Sequence, residues 1–372
     1  MRMMLHADGR PPFRADHIGS LLRPQQLRQA FRRRAAGEMG ESEFKAIQDQ
    51  AVREAVHMQE QIGLAVVTDG EFRRGSYWGR FVERTAGLSV RDALLKFRDD
   101  NGHEVDFTAP YAVAKLRRTE PLAVDELLFL REMTSLTAKI TLPAPSTMHF
   151  LRLSDFAAAE AYRDVESFFA DLVAVFAAEI ADLFAAGCRY LQIDEIAIAL
   201  LCDPSIRAHV QAAGGEPEAL LDLYIDAINA SVADCPAELV VGVHMCRGNF
   251  KGKYLAEGGY DWAAERFFSR TRANHFLLEY DSPRAGDFAP LRFVPPDKGV
   301  VLGLISSKTP VLETLDELRR RTDEAARFID LERLALSPQC GFASSAAGNP
   351  VTEAAQWAKL ARVVDAARAI WD

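Results

Sequence analysis

Short apolar runs alternate with longer segments of helical periodicity along most of the chain. Apolar residues recur at spacings of three and four between residues 24 and 62, so two helices are predicted there, the first beginning at Pro24. The later periodic segments predict helices over 157–187, which Gly187 would cap, and over 216–232, 309–329 and 352–371. The apolar runs between them predict strands at 64–71, 139–146, 190–194, 238–246, 275–281, 299–306 and 334–340.

This alternation predicts an α/β fold with a parallel sheet that is covered on both faces. Counting the short segment before residues 17–20, there are about eight strands, most of them followed by a helix, which favours a single (β/α)₈ barrel over residues 1–372. An open doubly wound sheet is the competing architecture. Segment 80–135 is more polar and interrupts the alternation, so we expect an insertion after the second strand that forms a lid, a subdomain or an oligomer contact.

Composition narrows the class of protein. Of the 372 residues, 49% are hydrophobic and 26% are charged, as in ordinary globular proteins. The net charge of −9 argues against a dedicated nucleic-acid binder, and no apolar stretch is long enough to span a membrane. Five cysteines, an odd number, do not suggest a disulfide framework. We therefore expect a cytoplasmic enzyme with reduced thiols, some of them available for a metal, that could assemble as a homo-oligomer.

Polar side chains follow the predicted strands, at the end of a barrel where active sites are built. His244 and Cys246 project from the same face of one strand, because strand side chains alternate with a period of two. Glu279 and Cys340 end two other strands. One imidazole, two thiolates and one carboxylate form a tetrahedral ligand set that suits Zn²⁺.

Each of these residues also has a purely structural interpretation. Cysteine is commonly a core residue, which we expect for Cys188, Cys202 and Cys235. Glu279 alone could be an ion-pair partner, and Asp194 and Glu195 could cap the helix that follows them. Other polar residues could be ion-paired or solvated arginines or structural histidines, namely Arg73, Arg74, Arg247, His17, His149 and His275.

The chain resembles the catalytic C-terminal half of cobalamin-independent methionine synthase, and within that family the short single-barrel proteins. The resemblance runs from about residue 14 to the C-terminus. It is carried by HIGSLLRP (17–24), TDGEFRRGSYWGRF (68–81), TLPAPST (141–147), YLQIDE (190–195), VHMCRGNF (243–250), FLLEYDSPRAGDF (276–288), LGLISSKTP (302–310) and LALSPQCGFASS (334–345).

The resemblance implies a role for each matched residue. The family's zinc ligands correspond to His244, Cys246, Glu279 and Cys340, the same four residues that the strand ends suggest. In the family, zinc holds the substrate thiol as a thiolate, which attacks a methyl donor. The positions that bind homocysteine correspond to the backbone around Ile18, Gly19 and Ser20 and to the carboxylates of Glu71 and Asp194.

Three departures from the family concern the methyl donor. The chain has room for one barrel, whereas the full-length synthase has two and uses the second to help hold a polyglutamyl folate. The family's proton-donor histidine corresponds to about Ile305, where no histidine occurs. The family's pterin-stacking tryptophan has no clear match, and TMHF (147–150) lies nearby instead. The residues that correspond to the family's thiol site are therefore all present. The methyl donor is expected to be something simpler than a triglutamyl folate, or another methyl carrier.

The favoured prediction is a zinc-dependent S-methyltransferase that uses a small-molecule thiol, homocysteine above others, and a methyl or alkyl donor. The alternative is a zinc-dependent alkyltransferase like the epoxyalkane:coenzyme M transferases. Its sulfonate-bearing thiol would need cations such as Arg73, Arg74 or Arg247. A non-catalytic zinc-binding barrel is a third possibility. A metal-free barrel like uroporphyrinogen decarboxylase would leave His244, Cys246 and Cys340 without a role.

Overall fold

The computed structural model describes residues 9–372. Seven strands form one parallel sheet in the spatial order β1-β6-β7-β8-β9-β10-β11, and four more form two antiparallel pairs. In chain order the strands are β1 (Val66–Val67), β2 (Thr85–Asp92), β3 (Phe97–Arg98), β4 (Glu104–Val105), β5 (Thr108–Arg118), β6 (Thr137–Pro143), β7 (Tyr190–Glu195), β8 (Val240–Met245), β9 (His275–Glu279), β10 (Gly299–Ile305) and β11 (Leu334–Pro338).

The segment before residues 17–20 occupies the eighth strand position. Ala15 forms a parallel bridge with Leu336 of β11, and the backbone N–H of Asp16 donates to the Leu336 carbonyl at 2.9 Å. The chain then reaches β1, where the Thr68 hydroxyl donates to the Gly19 carbonyl at 2.7 Å. The sheet is thus curled between its two edge strands, which confirms the predicted (β/α)₈ barrel.

Helices form the outer layer and connect the strands. They are α1 (Gln25–Ala35), α2 (Glu41–Gln61), α3 (Gly79–Glu83), α4 (Val124–Met133), α5 (Val165–Ala185), α6 (Ala197–Leu201), α7 (Pro204–Ala212), α8 (Pro217–Ser231), α9 (Asp261–Arg270), α10 (Leu315–Ala325) and α11 (Glu353–Trp371). Short 3₁₀ turns lie at Pro145–Met148, Leu153–Asp155, Pro283–Ala285, Ala289–Phe293 and Leu331–Arg333. In residues 9–372, no helix is long and apolar enough to cross a membrane.

The predicted helix over 157–187 begins later than its alanine content suggested. Asp164 ends the irregular segment before it, and its carboxylate accepts a hydrogen bond from the Ser167 backbone N–H at 2.7 Å. This N-cap fixes the start of α5 at Val165, because a capping side chain replaces a missing partner of the first turn. At the other end Gly187 adopts a φ of 96°, as expected for a left-handed C-terminal cap.

Most of segment 80–135 covers the end of the barrel that is formed by the C-terminal ends of the parallel strands. Its long strands β2 and β5 pair with each other, and Arg98 of β3 makes an antiparallel bridge to Tyr254, which follows β8. The last part of the segment differs, because α4 packs against α2, α5 and β6 and so belongs to the outer helical layer.

Three buried histidines predict how stability responds to acid. Burial lowers the pKa of His17 to about 3 and those of His149 and His275 to about 4, so each is neutral in the fold. Below pH 6.5 the unfolded chain binds protons that the fold does not accept, and the free energy of unfolding should therefore fall between pH 6.5 and 4.

Urea titrations across this pH range check the prediction. His149→Gln should make the decline in the free energy of unfolding shallower, by at most about 1.4 kcal/mol for each pKa unit removed. His57, exposed on α2, provides the matched control His57→Gln, which should keep the wild-type slope. A slope that His149→Gln does not alter would contradict the buried-histidine account.

Candidate metal centre and its cavity

A cavity of about 590 Å³ opens at the C-terminal ends of the barrel strands. Parallel strands of a barrel bring the residues at their ends together here, although these residues are far apart in sequence. Of the nine predicted site residues, seven line this cavity, namely Ile18, Ser20, Glu71, Asp194, His244, Cys246 and Cys340. Gly19 lies between two of them, and Glu279 lies behind the wall, with no exposed surface.

His244, Cys246 and Cys340 form a buried group of side chains that could hold a metal ion. One possible ligand atom from each residue lies within 4.8 Å of the other two, and the two sulfurs are 3.6 Å apart. The Nδ1 atom of His244 lies 3.0 Å from the Leu277 carbonyl, so Nδ1 carries the proton, because a carbonyl can only accept. Nε2 is buried without a hydrogen-bond partner, and its lone pair remains available to a metal.

Neighbouring loops hold Cys340 in place. The Asn249 side-chain amide donates to the Gly341 carbonyl and to the Ser307 hydroxyl, each at 2.9 Å. Gly341 itself permits a close approach, since a Cβ atom there would lie 1.9 Å from the Ser20 Oγ. The turn at Cys340 and Gly341 therefore packs directly against Ser20. A larger residue at position 341 would push Cys340 away from the segment 17–20.

Glu279 lies outside the group of three. Its Oε1 lies 3.3 Å from the Lys308 ammonium, and its Oε2 accepts a hydrogen bond from the Arg247 backbone N–H at 2.6 Å. Burial raises its pKa, but the charges of Lys308, Arg247 and Arg284 together with the Arg247 backbone N–H outweigh burial, so the pKa is lowered. The carboxylate is thus held as an anion beside the two cysteines, and its role as the fourth zinc ligand stays a prediction.

Glu71 and Asp194 place two acids on the cavity wall. Glu71 adopts a left-handed φ of 59°, which is uncommon for a residue other than glycine and is typical of functional positions. Its Oε1 accepts from the Thr141 hydroxyl at 2.8 Å and lies 3.7 Å from the Arg74 guanidinium, whereas Oε2 is buried without a partner. Asp194 accepts from the Gln192 side-chain amide at 2.7 Å, and burial raises its pKa to about 7.

The structural interpretation holds for several other candidates. Glu195 caps the following helix, since its Oε1 accepts from the Ile198 backbone N–H at 2.9 Å, whereas Asp194 faces the cavity. His149 is 2.8 Å from the Tyr224 hydroxyl and does not line the cavity. Cys188, Cys202 and Cys235 lie outside the metal-binding group.

The arginines that a sulfonate substrate would need are engaged elsewhere. Arg73 is 2.6 Å from the Asp49 carboxylate, and Arg74 is 2.6 Å from that of Glu126. Arg247 donates to the Gly258 carbonyl at 2.6 Å. These three arginines do not line the cavity, which removes the support that the sequence offered for a coenzyme M-type substrate.

Sequence reasoning missed the aromatic wall of the cavity. Much of it comes from the segment that begins at Tyr77 and continues through the predicted insertion. Trp78 lies within the matched stretch TDGEFRRGSYWGRF, so the signal was present, but only the fold brings its side chain to the metal group. The aromatic residues of the wall are Tyr77, Trp78, Phe97, Phe107 and Phe250.

Comparison with known proteins agrees with this geometry. The profile of the catalytic domain of cobalamin-independent synthase matches residues 13–369. The chain belongs to the cobalamin-independent methionine synthase family. Bacillus subtilis YxjH, an uncharacterized protein, is 41% identical over 97% of this chain and 95% of its own length. A methionine synthase of Pyrococcus abyssi is 27% identical, over 87% of this chain and 85% of its own.

A solved structure extends the similarity to the fold. The putative vitamin-B12 independent methionine synthase of Listeria monocytogenes has a TM-score of 0.74 and 30% identity to this chain. The match covers 98% of this chain and 99% of that one. The single-barrel length is therefore shared within the family.

Proposed function

We propose that this protein is a zinc-dependent S-methyltransferase that converts homocysteine to methionine. The observation that carries the proposal is the buried His244, Cys246 and Cys340 group, with the free Nε2 of His244 facing a substrate-sized cavity. Two sulfurs and one imidazole suit zinc and leave one of its four positions for the substrate. The names of the Pyrococcus abyssi and Listeria monocytogenes relatives support the same reaction.

Bound zinc would supply one effect, which is to lower the pKa of the substrate thiol so that it reacts as a thiolate at neutral pH. The chain's own residues do the rest. His244 is oriented by the Leu277 carbonyl, and the Asn249 amide holds the turn that carries Cys340. Glu279, held by Lys308, is the carboxylate we expect to occupy the fourth position before the thiol arrives.

Glu71 and Asp194 would bind the ammonium group of homocysteine. The unpartnered Oε2 of Glu71 and the cavity-facing carboxylate of Asp194 provide acceptors for its N–H groups. The backbone of Ile18, Gly19 and Ser20 would hold the carboxylate end of the substrate. Gly19 has a φ of 125°, and a Cβ there would lie 2.7 Å from the Thr141 methyl group, so no larger residue fits this turn.

The experiment that tests the proposal measures zinc content and thiol reactivity together. The purified chain should hold about one zinc, and the loaded protein should accelerate methylation of homocysteine by methyl iodide, a donor that needs no binding site. Absence of zinc would contradict the proposal. Zinc without acceleration would indicate a non-catalytic zinc barrel, and acceleration for coenzyme M instead of homocysteine would favour the alternative alkyltransferase.

Substitution of the two acids gives a sharper prediction for the thiol site. Glu71→Gln and Asp194→Asn should each raise the KM for homocysteine by about 10- to 100-fold, since a charged hydrogen bond contributes about 1.5–3 kcal/mol. The substrate 4-mercaptobutanoate lacks the amino group and provides the control. Its KM should not change, and an equal rise for both thiols would show that the acids do not bind the ammonium.

A further inference from the structure

Lys308 lies in the loop that follows β10, behind the wall of the cavity. Its side chain is buried, and its ammonium is 3.3 Å from the Oε1 atom of Glu279, which is buried as well. The residue before it fixes the loop, because the Ser307 backbone N–H donates to the Gln339 side-chain oxygen at 3.0 Å and the Ser307 carbonyl accepts from the Asn349 amide at 3.2 Å. The loop thus holds a buried cation directly against the carboxylate.

Both carboxylate oxygens of Glu279 are engaged by donors from this chain. Oε1 faces the Lys308 ammonium, and Oε2 accepts a hydrogen bond from the Arg247 backbone N–H at 2.6 Å. The carboxylate is nevertheless near enough to interact electrostatically with both Cys246 and Cys340. Hydrogen bonds to its oxygens compete with coordination to a metal, so this environment suits a carboxylate that can leave the metal and be held close by.

A carboxylate that leaves a metal inside the protein needs another positive group. A buried charge is tolerated only when it is paired and hydrogen-bonded, and Lys308 provides both at the place where Glu279 lies. We propose that Lys308 is a positioning residue that receives the Glu279 carboxylate when the substrate thiolate replaces it at the metal. This inference rests on the proposed function, because it concerns how the thiol of that reaction reaches the zinc.

The exchange balances in charge and in protons. The thiolate replaces the carboxylate at the metal, so one anion takes the place of another. The proton that the thiol loses is released to water, as protons are when ligands bind a metal. Glu279 remains an anion throughout, and its charge is neutralised by the metal before the exchange and by Lys308 after it.

Two neighbouring charged residues complete the arrangement. Asp281 interacts electrostatically with Lys308, and its Oδ1 is buried without a hydrogen-bond partner. Asp281 therefore provides a second counter-ion for the ammonium while Glu279 is bound to the metal. Arg284 adds positive charge near Glu279, but its guanidinium lies 3.5 Å from the exposed carboxylate of Asp100. Lys308 is thus the side chain that contacts the Glu279 carboxylate directly.

Thiol binding to the metal-loaded full chain tests the inference without turnover. Cobalt(II) is loaded in place of zinc, and homocysteine is titrated while the gain in sulfur-to-cobalt charge-transfer absorption is recorded. Lys308→Met should keep its metal but bind homocysteine at least about tenfold more weakly, because the displaced carboxylate loses a charged hydrogen bond. Lys308→Arg should restore most of the affinity, since a guanidinium also pairs with a carboxylate. Lys308→Gln, which keeps a polar side chain, replaces Lys308→Met if that variant does not fold.

Lys298 provides the matched control at the opposite end of the same strand. It is also buried, and its ammonium donates to the Phe268 carbonyl at 3.2 Å, so Lys298→Met removes a buried ammonium far from the site. This variant should bind homocysteine like the wild type. Wild-type affinity in Lys308→Met, or loss of its metal, would overturn the inference and leave the proposed function standing. A wild-type chain that holds metal but binds no thiol would contradict the proposed function and this inference together.

A double-variant cycle separates positioning from a general effect on the fold. Glu279→Gln removes the charge that Lys308 is proposed to receive, so adding Lys308→Met to that variant should change the homocysteine affinity by less than about twofold. An equal loss of affinity in both backgrounds would show that Lys308 acts independently of Glu279 and would overturn the inference. Steady-state kinetics give a further readout, because Lys308→Met should raise the KM for homocysteine more than it lowers kcat.

Discussion

Cys340→Ser is expected to leave the protein without stoichiometric zinc and to slow methyl transfer to homocysteine by more than about a hundredfold. Even the loss of a residue that only orients a metal ligand costs about 10- to 100-fold, and this change would remove a thiolate that contacts the metal directly in the proposed site. The hydroxyl of serine is a poor substitute, since it is not deprotonated like a thiol at a zinc site. Metal analysis of the purified variant and single-turnover kinetics with homocysteine measure the two effects.

Cys235 provides the matched control. It is half-buried and lies outside the metal-binding group, so Cys235→Ser removes a thiol without touching the site. This variant should keep its zinc and its rate. Wild-type zinc content in Cys340→Ser would show that Cys340 is not a ligand, and loss of zinc in both variants would point to a general effect on folding.

The second large effect is a loss of stability, expected when a buried ion pair inside the barrel is broken. The Lys139 ammonium has almost no exposure and lies 2.7 Å from the Asp16 carboxylate and 3.0 Å from the Gln192 side-chain oxygen. Asp16 also accepts a hydrogen bond from the Tyr190 hydroxyl at 2.5 Å. Asp16→Asn would leave the lysine charge buried without its counter-ion, and the free energy of unfolding should fall by about 3–5 kcal/mol.

A double variant separates the loss of the ion pair from the loss of packing. Asp16→Leu with Lys139→Met replaces both charges by apolar groups, and such replacements are often close to neutral. The double variant should therefore be more stable than Asp16→Asn in urea titrations at pH 7. A decrease below about 1 kcal/mol for Asp16→Asn would show that the pair contributes little and that water or other groups solvate Lys139.

The grouping of His244, Cys246 and Cys340 could be predicted from the sequence because its signals are local. The alternation of a strand places His244 and Cys246 on one face, and the barrel brings Cys340 to the same end. The surroundings of Glu279 could not be predicted, because its contacts with Lys308 and the Arg247 backbone N–H depend on the path of a loop that no residue pattern specifies. The convergence of the three side chains could therefore be predicted, but the detailed environment of the carboxylate could not.

The helices and the insertion could likewise be predicted only in part from the sequence. Alanine content extended the predicted helix back to residue 157, although Asp164 caps α5 and fixes its start at Val165. The short helix α6 was missed, since an apolar segment as brief as 197–201 has no readable period. Phe97 and Phe250 meet only after the insertion docks on the barrel, so no sequence period could pair them.

Activation of the thiol by zinc is tested most directly by zinc K-edge absorption spectroscopy of the loaded protein with and without homocysteine, and with selenohomocysteine. We expect two sulfurs, one nitrogen and one oxygen around zinc at rest. Addition of homocysteine should replace the oxygen by a third sulfur, and selenohomocysteine should give a zinc–selenium distance. A ligand set that stays the same with either compound would contradict activation of the thiol by zinc at His244, Cys246 and Cys340.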